Sequence, residues 1–485
     1  MSRSRAVTSA LLAVVALCAA TTHARAQALG DDEPLRRLDA NALAGGTYGE
    51  AEPGGLAGGD YGATRPDQQP EPPTSATLRI GNPLGAPPRG LRDPAPRRIP
   101  VSDDDAYAAS GVQAGAFTLR PTLETAGGYD DNPNRDPEGG KGSGFYRLRG
   151  GLDARSNWSR HELGARLNGQ IRRYVDQTEL GYEPEVSAAV TGRLDVTERT
   201  QINAELRASL TSSRPGDPET PTGIKGDEIT RSAGATLGAT HRFNRLSVTL
   251  EGAVDRYVTA DSKLRSGGTL DNSDRNYNSY EARLRGAYDL SPRLQPFVEV
   301  AVDTRDYDEK FDNTDPTRRL GSDGYALRTG ASLELTRLVT GEVAVGYGRQ
   351  TPKDRDLKPV DGLLVDGALA WTPTALTTVR LDARSALRET TLNGAGGVLE
   401  RQVGLEVEHR LRRNLIATAR ADLVRGDYKG LGRVDDNWTL SLEGEYRLNR
   451  NLAAIGSVRR EWQDSSEPGE DYRATIVELG LRFRR

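Results

Sequence analysis

The sequence predicts an all-β chain, a transmembrane antiparallel up-and-down β-barrel of about eighteen strands preceded by a disordered N-terminal segment. Three observations predict it. The first is strict alternation. Trp438, Leu440, Leu442, Gly444, Tyr446 and Leu448 share one face, and Thr439, Ser441, Glu443, Glu445 and Arg447 share the other. A strand sends successive side chains to opposite faces, so this is one apolar wall and one charged wall. A packed soluble core rarely accepts such a charged face; lipid outside and water inside suit it. The second is recurrence of this unit, with polar connections alternately short and long. The third is composition. Hydrophobic residues make up only 36% and charged residues 28% of the chain. No run after the N-terminus approaches the ~18 apolar residues of a membrane helix, whereas a barrel's dyad signal averages out in a hydropathy window.

The chain has 485 residues, a length that large barrels reach as one domain. Its net charge of −4 argues against a nucleic-acid partner. Arg3 and Arg5, an apolar run over residues 10–20 and Ala24-Arg25-Ala26 form a charged region, an apolar region and an A-x-A site, so residues 1–26 read as a secretory signal peptide. Cys18, the one cysteine, lies inside that run behind Leu17, where a lipoprotein signal wants a small residue. The expected mature chain therefore has no thiol or disulfide chemistry. Residues 27–113 are crowded with Gly and Pro, keep no helical or strand period, and read as a disordered periplasmic segment. Arg89, Arg92, Arg97 and Arg98 are the charge cluster that would make it a docking arm.

From residue 114 to 485 the pattern is that of the barrel. Tyr146, Leu148, Gly150, Leu152 and Ala154 oppose Arg147, Arg149, Asp153 and Arg155; Leu163, Ala165, Leu167, Gly169 and Ile171 oppose Glu162, Arg166, Asn168, Gln170 and Arg172. Ile202, Ala204, Leu206, Ala208 and Leu210, then Leu246, Val248, Leu250, Gly252 and Val254, then Val403, Leu405, Val407 and Leu411, repeat the apolar wall. Each match is moderate alone, and their repetition decides. Short polar turns fall near Trp158, Thr197, Asn244, Ser291, Arg337, Thr374, Arg413 and Arg450. Between them lie longer loops: DDNPNRDPEGGKGSG, SRPGDPETPTGIKGDE, ADSKLRSGGTLDNSDRN, YDEKFDNTDPTRRLGSD, PKDRDLKPVDG, LNGAGG, GDYKGLGR and DSSEPGED. One short side and one long side is the barrel asymmetry, which places the long loops outside the cell and both termini in the periplasm. The last strand alternates Val477, Leu479, Leu481 and Phe483 outward, and its terminal aromatic is followed by Arg484 and Arg485.

The opening strand, Gly115-Ala116-Phe117-Thr118-Leu119-Arg120-Pro121-Thr122-Leu123, and the loop Tyr129-Asp130-Asp131-Asn132 resemble the start of the outer-membrane family called putative beta-barrel porin type 2, which typically carries G-x-F-x-L-x-P-x-L and then Y-D-D-N. Pro133 and Asn134 follow Asn132 where the family more often has an apolar residue. The resemblance implies a Gram-negative outer-membrane barrel with Phe117, Pro121, Tyr129, Asp130, Asp131 and Asn132 as motif residues. It also implies a link, in some relatives, to exopolysaccharide export.

Little in the sequence points to catalysis. Of the four histidines, His23 leaves with the signal, His161 lies beside a turn, and His241 and His409 fall on the apolar face near short-turn strand ends. No Ser-His-Asp set converges at one rim, so an enzyme is not expected. Asp130, Asn132, Asn134 and Asp136 have oxygen-ligand spacing. The calcium loop pattern nevertheless fails at Arg135 and Lys141, and a polar surface loop turned by Pro133 and Gly139-Gly140 is the better reading. No cofactor and no metal are expected.

The charged wall carries the chemistry. Arg147, Arg149, Arg166, Arg172, Arg207, Glu205, Glu251, Arg283, Arg285, Glu299, Glu334, Arg380, Arg384, Glu406, Arg420 and Glu443 are the lumen-lining candidates. As cross-strand ion pairs they would stiffen the wall; as a hydrated lining they would select solutes. The expected function is a porin-like outer-membrane channel, with exopolysaccharide export as the substrate class the resemblance suggests. The alternative is a closed structural or adhesive barrel acting through its external loops. A soluble secreted β-protein would require the apolar faces to pack together. Expected partners are outer-membrane lipid and lipopolysaccharide, the barrel-assembly machinery and a polysaccharide export system.

Overall fold

The structure is a computed structural model that describes Tyr107 and residues 109–176, 181–214, 219–220, 223–313, 315–336 and 338–485. The expected signal peptide over 1–26, nearly all of the 27–113 segment with its four arginines, and Arg337 lie outside the described residues.

Alternation becomes a closed sheet. The strands are β1 (Phe117–Asp130), β2 (Ser143–Ser156), β3 (Glu162–Tyr174), β4 (Tyr182–Asp195), β5 (Thr200–Ser213), β6 (Glu228–Phe243), β7 (Leu246–Thr259), β8 (Tyr277–Tyr288), β9 (Leu294–Tyr307), β10 (Ser322–Thr336), β11 (Val339–Pro352), β12 (Val360–Thr374), β13 (Thr377–Arg388), β14 (Gly397–Arg412), β15 (Leu415–Lys429), β16 (Arg433–Arg447), β17 (Leu452–Ser465) and β18 (Tyr472–Arg484). Each pairs antiparallel with its sequence neighbours, and β18 returns to β1 through Thr122↔Arg484 to Asp130↔Ile476. The eighteen-strand closure follows, with no edge left over. A three-residue strand, Val112–Ala114, adds onto β1 at the short-turn end.

The apolar face points out. Leu237, Leu250, Leu363, Leu442 and Leu479 are all exposed, while the charged residues between them are turned inward and mostly shielded. With 12 to 16 residues each, the strands exceed the ~9–11 that a tilted membrane strand needs. No helix among the described residues is long and apolar enough to cross a membrane.

All eight short turns fall where the polar punctuation puts them; that at Arg337 is bracketed by Thr336 and Val339. Asn244 takes a left-handed φ of 56°, which Asn tolerates and which lets a two-residue turn join β6 to β7. The long side differs from expectation in two places. GDYKGLGR is not a long loop: β15 runs to Lys429 and β16 starts at Arg433, because Gly430 and Gly432, at φ 115° and 72°, let three residues reverse the chain. A ninth connection, residues 175–181 between β3 and β4, carries one Gly and no Pro or Asn, so it lacks the punctuation that marks the others.

Candidate functional site: the charged inner wall and the long-loop mouth

The inner wall is built from strand alternation, so charge reaches it from every strand and pairs across neighbours. The densest set joins the closing strands. Arg147 meets Glu478 at 2.8 Å and Glu124 at 3.3 Å, Arg149 meets Glu124 at 3.2 Å, and Arg482 meets Glu124 at 2.6 Å, Glu443 at 3.2 Å and Glu445. Beside it Arg420 binds Asp422 at 2.9 Å and Glu406 at 3.3 Å, and Arg380 binds the same Glu406. A pocket opens between these groups, lined by Glu124, Arg149, Glu406, Arg420, Glu443 and Arg482 among others. Across the sheet, Glu299 is shared by Arg283, Arg285 and Arg328, and Arg285 also meets Glu342 at 2.8 Å while stacking 3.6 Å from the Phe297 ring centroid. Charge-assisted pairs of this kind hold geometry well. Their net contribution to stability is small, because desolvation offsets much of the attraction.

The remaining candidates take several places. Arg207 pairs with Asp255 and, at 3.5 Å, with Glu205; Arg172 lies 3.6 Å from Glu183 and over Phe145; Arg166 reaches Asp153 at 3.6 Å. Glu251 is in register with Arg283, and Glu334 stands at a ladder irregularity near the short-turn rim. Arg384 is exposed, one strand position above the last β12–β13 pair at Ala383.

The loop after β1 is a polar surface loop over Asp136–Gly139, but its base, Asn132, Pro133 and Arg135, is buried, which the sequence reading did not expect. Arg135 takes a left-handed φ of 58° and drives its guanidinium between Asp130, at 3.0 Å, and Glu461, at 2.7 Å. The Tyr174 hydroxyl donates to the same Asp130. Asn132 donates to the carbonyls of Asp136 and Arg473 and accepts from the Asp136 N–H, locking the loop onto β18. The oxygen-rich spacing thus serves an internal arginine, and the residue that spoils the calcium pattern is the one the loop is folded around. Among the described residues no group of three or more His, Cys, Asp and Glu side chains is arranged to hold a metal ion. The histidines make local contacts: His161 accepts from the Asp195 N–H, and His241 and His409 each face a threonine hydroxyl, of Thr200 and Thr377, at 2.9 Å.

The mouth on the long-loop side holds groups that sequence reasoning missed. Above Gly367↔Ala383 the β12–β13 ladder stops, leaving six register pairs where every other barrel seam has nine to fifteen. The upper β13–β14 hairpin leaves the wall there and turns inward. Leu387 and Leu399, outward by alternation, pack with Val360 and Leu364 and the partly buried Ala326, all inward by alternation. A Cβ at inward Gly362 would lie 2.7 Å from Leu399 Cδ2, and one at inward Gly348 would lie 3.1 Å from Leu387 Cδ1. The wall laps over itself: the outer face of one hairpin lies on the inner face of the other.

The hairpin tip is held from inside the barrel. Glu389 pairs with Arg305 at 3.5 Å and accepts from the hydroxyls of Tyr307 and Ser322. Arg305 also donates to the Leu387 carbonyl at 2.9 Å, and Arg318 to that of Thr390 at 2.8 Å. Glu219, from the β5–β6 loop, accepts from Thr390 and Thr391. Tyr257, Tyr277 and Tyr307 stack behind this cluster at centroid spacings of 4.7 and 4.9 Å. In the loop after β7, burial pushes the Asp274 carboxyl up, opposed by a hydrogen bond from the Asn313 N–H. The only sequence signal for the lap is indirect: Gly362 on β12 opposite Leu399, and Gly348 on β11 opposite Leu387, leave the room it needs.

A closed barrel with a charged inner wall and the Y-D-D-N loop at its first hairpin matches one family model, that of Putative beta-barrel porin 2, over residues 105–485. The chain belongs to that family. As a member of Putative beta-barrel porin 2 it is a porin-like outer-membrane β-barrel, and the family description names a porin, not an enzyme. Among curated proteins no significant match was found. Similar solved structures include the outer-membrane protein opdK from Pseudomonas aeruginosa, at 12% identity and TM-score 0.38, covering 76% of this chain and 99% of that one. OccK2 (OpdF) from Pseudomonas aeruginosa aligns at 12% identity and TM-score 0.40, covering 76% and 97%. A BenF-like porin from Pseudomonas fluorescens Pf-5 aligns at 12% identity and TM-score 0.39, covering 76% and 99%.

In this Putative beta-barrel porin 2 chain the motif residues divide by face. Phe117, Pro121 and Tyr129 project outward, Phe117 edge-on to Trp158 at 5.8 Å, while Asp130 is buried inside. Asp131 accepts from the Thr475 N–H at 2.6 Å, and Asn132 is buried in the loop. The motif therefore closes the barrel: Asp131 and Asn132 fasten the first hairpin to the last strand.

Proposed function

We propose that this barrel is a passive channel for hydrophilic solutes, with its long loops outside the cell and both termini in the periplasm. The observation that carries the reading is the inner wall of Arg and carboxylate pairs that continues around the sheet and opens into the pocket beside Arg149, Glu443 and Arg482. Fixed charges of both signs keep such a wall hydrated, and solute selection comes from their local imbalance. Of the lumen-lining candidates, Glu406 and Glu443 set the local field against Arg147, Arg149 and Arg420, and Glu124 and Arg482, which the sequence reading did not name, join them.

Export of a charged polysaccharide is the substrate class we assign, on the strength of the family resemblance and of a wall rich in paired Arg and carboxylate groups. Outer-membrane lipid and lipopolysaccharide meet the apolar outer face, and the assembly machinery reads the final strand, whose last outward aromatic is Phe483. The test is a planar-bilayer recording with charged and neutral oligosaccharides added to one side. A charged oligosaccharide should interrupt the current at concentrations where a neutral one of equal length does not. Equal block by both removes the charge-selective reading.

A second reading, a closed adhesive barrel, is favoured by one observation: Glu219 and the β13–β14 tip meet across the mouth. Substituting Glu219 by Ala should then leave a silent barrel silent, whereas in the channel reading it enlarges an existing conductance.

A further inference from the structure

We propose that the lapped β12–β13 seam is a lateral portal that passes a single-chain amphiphile between the lumen and the surrounding leaflet. A strand edge in hydrocarbon leaves N–H and C=O groups without partners, so barrels pair their walls in full. Here the ladder is missing over the upper half of one seam, and side chains replace it. Ser385 Oγ accepts from the Val365 N–H at 2.9 Å and donates to the Val365 carbonyl at 3.0 Å, while Asp366 accepts from the Ser385 N–H at 3.2 Å. Between the lapped faces the filling is mostly apolar, Val360, Leu364, Leu387 and Leu399, with the Arg401 guanidinium beside Gly362.

These links differ in kind from a backbone ladder. Rotating Leu364 and Leu387 and releasing Ser385 parts the seam without breaking any strand pair. At the lumen end stand Arg305 and Glu389, and at the outer end Leu363 and Val365 face the apolar exterior. A polar entrance, an apolar passage and an apolar exit match a molecule with one polar head and one chain. The inference goes beyond the hydrophilic pathway along the barrel axis and does not need it.

The test uses the full chain in vesicles, with an NBD-labelled lysophospholipid placed in one leaflet and its appearance in the other followed by albumin extraction. Gly362→Cys with Leu399→Cys places two thiols across the lap, and removing the Leu399 side chain makes the space that a Cβ at 362 needs. Cys18 is the only native cysteine, and Cys18→Ser removes its interference. The native protein should transfer the probe faster than protein-free vesicles. Oxidation should slow transfer roughly tenfold, dithiothreitol should restore it, and KCl conductance should stay unchanged. Should the double variant fail to fold, Ser385→Ala carries the test, raising transfer roughly fivefold for the loss of a hydrogen bond. Transfer no faster than in protein-free vesicles, or indifferent to oxidation, overturns the portal. A cross-link that reduces transfer and conductance together also overturns it, since the hairpin then gates the lumen.

Discussion

At the scale of single residues, the direction in which a side chain points decides what it tolerates. Leu442 is exposed on the outer face, and Ser441, its neighbour, faces the wall of Glu443 and Arg482. An arginine facing lipid near the midplane costs ~2–4 kcal/mol, and an exposed ion pair recovers only ~0–1 kcal/mol. Leu442→Arg should therefore lower the urea midpoint of the barrel in vesicles, whereas Ser441→Arg should leave it nearly unchanged. Arg135 makes the opposite case. Replacing it by Ala leaves Asp130 and Glu461 buried beside each other without their shared cation. Breaking such a pair costs on the order of 3–5 kcal/mol, so Arg135→Ala should destabilise more than Arg425→Ala, whose pair with Asp436 at 3.6 Å is exposed. Equal midpoints for the two would mean that the loop is not organised around Arg135. Period-two patterning made Leu442 and Ser441 legible from sequence. Arg135 was not legible, because an arginine in a polar loop looks solvated until the fold brings β17 beneath it.

Elements repeat this division between local and distant causes. Strand faces and short turns follow from neighbours in sequence, as in Asn244-Arg245 between β6 and β7, and these were readable. The Trp438–Trp462 stack, with centroids 6.0 Å apart, is the cross-strand consequence of one such hairpin in register. The Gly430-Leu431-Gly432 reversal was misread because turn residues mark a bend without giving its length. The infolded β13–β14 hairpin was invisible, since its alternation is intact and only its partner face differs: Leu399 packs on Val360 and Leu364 instead of lipid. Its tip depends on Glu389. In Glu389→Ala the Arg305 guanidinium keeps Asp303, at 3.9 Å, and the Leu387 carbonyl but loses its carboxylate partner at the hairpin tip, so the hairpin should loosen. Hydrogen exchange along residues 384–397 should rise in that variant while exchange in β2 and β3 stays fixed. Unchanged exchange in the hairpin would assign its position to the apolar lap and to the Arg318 and Glu219 contacts.

For the whole molecule, closure through β1 and β18 turns the separate hairpins into one unit with a polar interior. Purified protein in detergent should give a β-type circular dichroism spectrum and migrate faster on gels before boiling than after; a helical spectrum would contradict the fold. The central claim is that the charged inner wall bounds a conducting, hydrated lumen. It is tested most directly by planar-bilayer recording of the native chain and Ser441→Arg in a KCl gradient. The account predicts stable ohmic steps for both, with the reversal potential of Ser441→Arg displaced towards anion preference. Folded, heat-modifiable protein that inserts and passes no current would contradict it.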